Sequence, residues 1–297
     1  MAPHEPDDDP RATATGVAWA VAAFGLWGVL PLYFRALREV PSVDIVAHRI
    51  VWSVVFLSGL ITARGAWGEL TLARLRPRAP RFLAAAACIT SNWLLYVWAV
   101  GHGQVLQASL GYFIQPLLNA LLGRVFLGER LRPAQLAALA IAAVGVAVQG
   151  ALVGEVPWIS LAIAASFGVY SLLRKGLTFD GTAALLVETS LVAPLALAWL
   201  ALGAAPASRF GMTPPVHLLL VGTGAVTALP LIWFAAAARR LRLSTLGVLQ
   251  YLSPTGQFLC GVLVFGEPWT RAQATTFALI WTGVALYAAD ALRGARR

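Results

Sequence analysis

The sequence predicts an all-α integral membrane protein: ten transmembrane helices built as two inverted five-helix repeats. Three observations carry that expectation. The 297 residues are 59% hydrophobic and only 12% charged, with a mean hydropathy of +0.75. A soluble domain is nearer a quarter charged, so this much apolar surface requires lipid as solvent. The apolar residues fall in ten runs of roughly 18–24 residues, each long enough as a helix to cross ~30 Å of hydrocarbon. The second half also repeats the first. Pro116, Gly123, Gly128-Glu129, Gln135 and Gly145 recur as Pro254, Gly261, Gly266-Glu267, Gln273 and Gly283, at a constant offset of 138 residues. An apolar chain of two related halves points to a site between them.

Residues 1–15 are polar, with Asp7, Asp8 and Asp9 and three prolines, which predicts a disordered cytoplasmic tail. No basic start or cleavage site marks a signal peptide. Spans are expected at 16–34, 44–63, 82–100, 105–127 and 134–151, forming the first repeat over 16–151. The second repeat, 157–292, holds spans at 157–174, 183–202, 216–238, 244–265 and 271–292, and 293–297 is a basic cytoplasmic tail. With the N-terminus inside, sixteen of the 22 Lys and Arg fall in cytoplasmic segments, against Arg35, Arg38, Arg209 and Arg271 outside. The positive-inside rule then places both ends in the cytoplasm. Five spans per half make the repeat inverted. The loop Gly128-Glu129-Arg130-Leu131-Arg132 lies inside, and its copy Gly266-Glu267-Pro268-Trp269-Thr270 lies outside without the arginines. Further matches are Phe24-Gly25-Leu26-Trp27 with Phe167-Gly168-Val169-Tyr170, and Ala108-Ser109-Leu110-Gly111 with Ser244-Thr245-Leu246-Gly247. The last pair sits at offset 136, so two residues are inserted between Gly247 and Pro254.

The net charge of +9 is explained by Arg-rich loops between spans rather than by nucleic acid. Cys88 and Cys260 each lie in an apolar run and read as packing residues. Four scattered His make a metal site unfavourable, and no cofactor is expected. The expected partners are membrane lipid and a small-molecule substrate, with a homodimer left open.

Gln115, Asn119 and Gly123 step by four and share one helix face. The repeat sets Ser253, Gln257 and Gly261 in the same register. Pro116 and Pro254 each remove a backbone donor and free a carbonyl one turn earlier, which in lipid needs protein or a wet cavity as partner. A cavity between these spans is one reading; interhelical hydrogen bonds and close packing at the glycines is the other. Arg49, about a turn and a half into the second span, costs ~2.5–3.5 kcal/mol at membrane depth on insertion scales. It serves either an anion or a structural pair with Asp44 or Glu188. Glu188 is the acidic residue well inside an apolar span, a candidate for proton coupling or for a pair with an Arg. Asn92, Trp93 and Tyr96 crowd the third span, and Trp27 and Tyr170 occupy matched positions in the first and sixth. Tyr112, Gln250 and Tyr251 add polar aromatic character, although core packing is the default for any one aromatic taken alone.

Together these residues predict a secondary transporter working by alternating access. Its cavity would be walled by the first, third, fourth, sixth, eighth and ninth spans. Amides, phenols and one Arg suit a modest polar organic solute, such as one with a carboxylate and an apolar or aromatic body. The alternatives are a membrane-embedded enzyme on lipid-linked substrates and a non-transporting membrane partner. No HExxH, Walker loop, GxSxG or paired carboxylates support the enzyme.

The segments His48-Arg49-Ile50-Val51-Trp52-Ser53, Asn92-Trp93-Leu94-Leu95-Tyr96-Val97-Trp98 and Ala108-Ser109-Leu110-Gly111-Tyr112-Phe113-Ile114 with Pro116 resemble the RarD proteins. So does Arg240-Leu241-Arg242-Leu243-Ser244-Thr245-Leu246-Gly247 with Gln250-Tyr251. These proteins belong to the EamA branch of the drug/metabolite transporter superfamily. The resemblance spans about 16–292 and implies a ten-helix carrier in the bacterial inner membrane, in a family whose name is tied to chloramphenicol sensitivity. Gln115 departs from the pattern, which has Asn before the proline.

Overall fold

The computed structural model describes residues 10–154, 156–175, 177, 179–203, 213–241 and 243–294. Most of the acidic tail, the last basic residues, Arg209 and Arg242 lie outside the described residues. All regular structure within them is helical. The order is α1 (Pro10–Arg35), α2 (Ser42–Ala63), α3 (Leu72–Leu75), α4 (Ala79–Gly101), α5 (Val105–Leu127), α6 (Pro133–Val153), α7 (Trp158–Lys175), α8 (Gly181–Ala198), α9 (Pro214–Ala238), α10 (Leu243–Leu249), α11 (Leu252–Leu259) and α12 (Arg271–Gly294). Wider π-type turns, Trp199–Gly203 and Cys260–Val264, extend α8 and α11.

Eight stretches are long and apolar enough to cross a membrane, carried by α1, α2, α4, α5, α6, α8, α9 and α12. Two expected spans differ from these. Over its 18 residues, α7 carries Ser160, Ser166, Tyr170, Ser171, Arg174 and Lys175, which dilute its apolar character. The expected span at 244–265 is broken: α10 stops at Leu249, Gln250 and Tyr251 form a turn, and α11 restarts at Leu252. Tight bonds from Tyr251 N to Val248 O at 3.2 Å and from Ser253 N to Gln250 O at 3.1 Å close that turn. The break falls where two residues are inserted relative to the first half. Two residues rotate a helix face by ~200°, so an unbroken helix could not hold both flanks in register.

The ends of these two segments match closely. Gly128 and Gly266 both take left-handed backbone, at φ +67° and +63°, a conformation that Gly adopts without a Cβ penalty. Glu129 N then bonds Gly123 O at 3.2 Å, and Glu267 N bonds Gly261 O at 3.0 Å. The following helix is capped alike in both halves, Gln135 Oε1 accepting from Arg132 N and Gln273 Oε1 from Thr270 N, each at 2.9 Å.

In the packing, α5 lies on α7 and α11 on α1; α1 lies on α9 and α4 on α7; α2 lies on α9 and α4 on α8. α6 packs on α12, and α2 on α8. The largest buried apolar cluster joins α1, α2, α4, α5, α7, α8 and α9. Large apolar side chains such as Leu195, Leu218 and Leu263 are exposed on the outside, as a lipid-facing surface requires.

Candidate functional site

A cavity of about 340 Å³ lies in the middle of the helices, within the range of about 300–1,000 Å³ usual for small-molecule sites. α1 contributes Trp27, α2 Arg49, α4 Asn92, Trp93 and Tyr96, and α5 Tyr112 and Gln115. Tyr170 comes from α7, and Gln250, Tyr251 and Gln257 from the broken segment. The turn at 250–251 is what brings Gln250 and Tyr251 into the wall. Asn119, one turn beyond Gln115 on α5, instead lines a second cavity of about 270 Å³ with Gly123, Gly168, Glu129 and Lys175. The wall also takes in α2 and α8 beside the six expected helices.

Arg49 is 5% exposed. Its Nε donates to Thr227 Oγ1 at 2.9 Å, and its guanidinium stacks on the Trp93 ring, 4.1 Å from the centroid. Phe34 lies on a second side at 5.6 Å. Asp44 accepts instead from Trp199 Nε1 at 2.8 Å, and Glu188 is bound to Arg174 at 3.0 Å. Neither acid is therefore the ion-pair partner of Arg49; among the described residues no carboxylate oxygen lies within 4.0 Å of its guanidinium.

Glu188 is fully buried and stands behind the cavity wall. Tyr170, which lines the cavity, donates its hydroxyl to Glu188 Oε2 at 3.0 Å. Arg174 Nη1 holds the other oxygen. Asn92 is likewise committed: its Nδ2 donates to Ile163 O and Ser166 Oγ, both at 3.0 Å, and its Oδ1 accepts from Tyr112 at 3.2 Å. Gln257 Nε2 reaches Trp27 O at 3.3 Å. By contrast the Tyr96 and Tyr251 hydroxyls and Gln257 Oε1 are buried without a partner among the described residues. An unsatisfied buried group costs about 1–3 kcal/mol, so these atoms mark where an occupant or water would be stabilised.

Sequence reasoning missed Thr227, Phe24 and Phe234 in the same wall. Thr227 carried a faint signal, a hydroxyl inside the apolar run of α9. The two Phe carried none, since a lining aromatic and a core aromatic look alike in sequence. Among the described residues no three His, Cys, Asp or Glu come together as a metal would need.

The EamA-like transporter family matches residues 14–150. A Vibrio cholerae protein described as an uncharacterized transporter is 43% identical, over 96% of this chain and 95% of its own. Protein RarD of Escherichia coli K12 is 41% identical, over 97% and 99%. The chain belongs to the RarD family of EamA-like transporters. A solved crystal structure at 25% identity aligns with a TM-score of 0.60, over 97% of this chain and 99% of that one. Within a RarD-family transporter, a cavity among the helices that holds a buried Arg beside unpaired Tyr hydroxyls and a Gln oxygen can bind a small solute and hold it away from lipid.

Proposed function

We propose that this RarD-family chain is a secondary carrier that moves a small organic solute across the bacterial inner membrane by alternating access. It would have ten spans in two inverted repeats, 16–151 and 157–292, with both termini cytoplasmic. The central cavity, walled by both halves around a broken helix, carries the reading. Discontinuous helices at a mid-membrane site are a recurring device of such carriers, because a freed backbone is tolerated only where it lines a cavity. The packing supports the repeat. Exchanging the halves converts the α5–α7 contact into α11–α1, α1–α9 into α7–α4 and α2–α9 into α8–α4. The α7 helix and the α10–α11 pair would then be the two further spans, tolerated because their polar faces pack inward.

Glu188 is tied to both Arg174 and Tyr170. That double pairing favours a fixed positioning role for Tyr170 over a titrating proton carrier, and uniport over proton coupling.

A single cysteine placed at Gln115, with Cys88 and Cys260 replaced by Ala, tests alternating access. A membrane-impermeant maleimide should label it in both right-side-out and inverted vesicles. Labelling from one side only, or from neither, would overturn the reading.

A further inference from the structure

The central cavity has two unlike ends. At one, Arg49 meets Thr227 and Trp93; Tyr96, whose hydroxyl has no partner among the described residues, lines the same cavity. At the other, Phe24, Trp27 and Phe234 form an aromatic cluster with ring centroids 5.7–6.4 Å apart. Thr227, Leu231 and Phe234 lie on one face of α9 and all line the cavity. At 1.5 Å per residue, Thr227 and Phe234 are about 10 Å apart along the helix.

The charges at the site are as uneven as its surfaces. Among the described residues no Asp or Glu lines the cavity, and Arg49 is the one cation in its wall. Nε is committed to Thr227, and neither terminal nitrogen has a hydrogen-bond partner among the described residues. Stacking on Trp93 occupies a face of the guanidinium and leaves its edge free, the fork that takes a carboxylate bidentately. A buried charge without a counter-ion is strongly unfavourable, and something must offset it when the cavity is dry.

Resting on the carrier reading above, we infer that the solute is a monocarboxylate with an apolar, aromatic-compatible body about 10 Å long. Its carboxylate sits on Arg49 with Tyr96 and Thr227 beside it, and its body reaches Phe24, Trp27 and Phe234. One Arg neutralises one negative charge. A phosphate dianion would leave a surplus with no second cation in the wall, and an amine would face Arg49 with no acid to receive it.

The purified full-length protein is melted with 4-phenylbutanoate, 4-phenylbutanamide or 4-phenylbutylamine. These share a phenyl ring and a short alkyl chain and differ in charge. The carboxylate should raise Tm, the amide and the amine should not, and a ligand that binds only the folded state acts by mass action. R49Q should remove the response. R49K keeps the charge and loses the fork, and should weaken affinity by about tenfold or more, the scale of one lost charge-assisted hydrogen bond. F234A should weaken it from the opposite end. A shift from the amide or the amine equal to that from the acid, no shift from the acid, or an unchanged response in R49Q overturns the inference. The wild-type comparison stands even where R49Q does not fold. Two-sided labelling at position 115 with no carboxylate effect would sink the solute assignment alone. One-sided labelling with an Arg49-dependent carboxylate effect would sink the carrier reading alone.

Discussion

α5 and the α10–α11 segment carry the same punctuation and resolve it differently. Each has a proline in its apolar run, a polar side chain one turn from a small residue, a closing Gly in left-handed backbone and a Glu after it. α5 runs unbroken through Pro116 from Val105 to Leu127. Its counterpart breaks at Gln250-Tyr251 and widens into a π-type turn at Cys260. The proline cannot be the cause, since both have one. The two inserted residues are the difference, and they turn one face of the helix away from the other. The broken helix lends Gln250 and Tyr251 to the cavity, while α5 lends Tyr112 and Gln115 from a continuous face.

The largest test of this comparison removes its cause. Deleting Val248 and Leu249 restores the spacing found between Gly111 and Pro116, and should give a continuous helix. Solute binding in the cavity and transport should then be abolished while the protein still inserts. Amide hydrogen exchange across 250–253 would slow to the level of 112–115. Retained transport in the deletion variant would mean that the break is incidental.

The matched glycines give the next largest contrast. A Cβ at Gly111 would stand 2.7 Å from Ser160 O and 3.0 Å from Ile163 Cβ, whereas one at Gly247 meets nothing within 4 Å. G111A should lower stability by about 2 kcal/mol through overpacking against a backbone carbonyl. G247A should raise it by roughly 0.5–1 kcal/mol, the gain in helix propensity of Ala over Gly. Melting of the two variants side by side checks the opposite signs.

The smallest contrast is at the matched acids. Glu267 accepts from Val105 N at 2.7 Å and Leu106 N at 2.8 Å, capping α5. Glu129 instead meets Lys175, with side chains 44% and 59% exposed. E267A leaves two helix-terminal amides unmet and should cost about 1–2 kcal/mol. E129A removes a half-exposed pair and should cost less than about 1 kcal/mol. Equal losses in the two melting curves would show that the halves carry the same load at their ends.

Several residues of the cavity wall stood out in sequence because they violate the rules of an apolar helix. Arg49 at membrane depth, Gln115 beside a proline, and Asn92 with Tyr96 on one face all needed a reason to be there. The structure places all of these in one wall with Trp27, Tyr170 and Gln257. Asn119 obeyed the same four-residue step and still falls in the second cavity, because one turn of α5 carries it about 5.4 Å onward. Glu188 was legible as unusual, but its partner was not, since Arg174 reaches it from another helix.

Local chemistry determined what the sequence could say alone. Apolar runs demand lipid and helix, glycines in register end helices alike, and an inserted pair of residues marks where the copies must diverge. Tertiary structure alone decided which polar groups are left over. Thr227 lies 178 residues from Arg49 and takes its Nε, while Asp44 and Glu188 are drawn to Trp199 and to Arg174 with Tyr170. Whether a buried charge is satisfied depends on groups from distant segments meeting within a few ångströms, and periodicity along one helix carries no information about that.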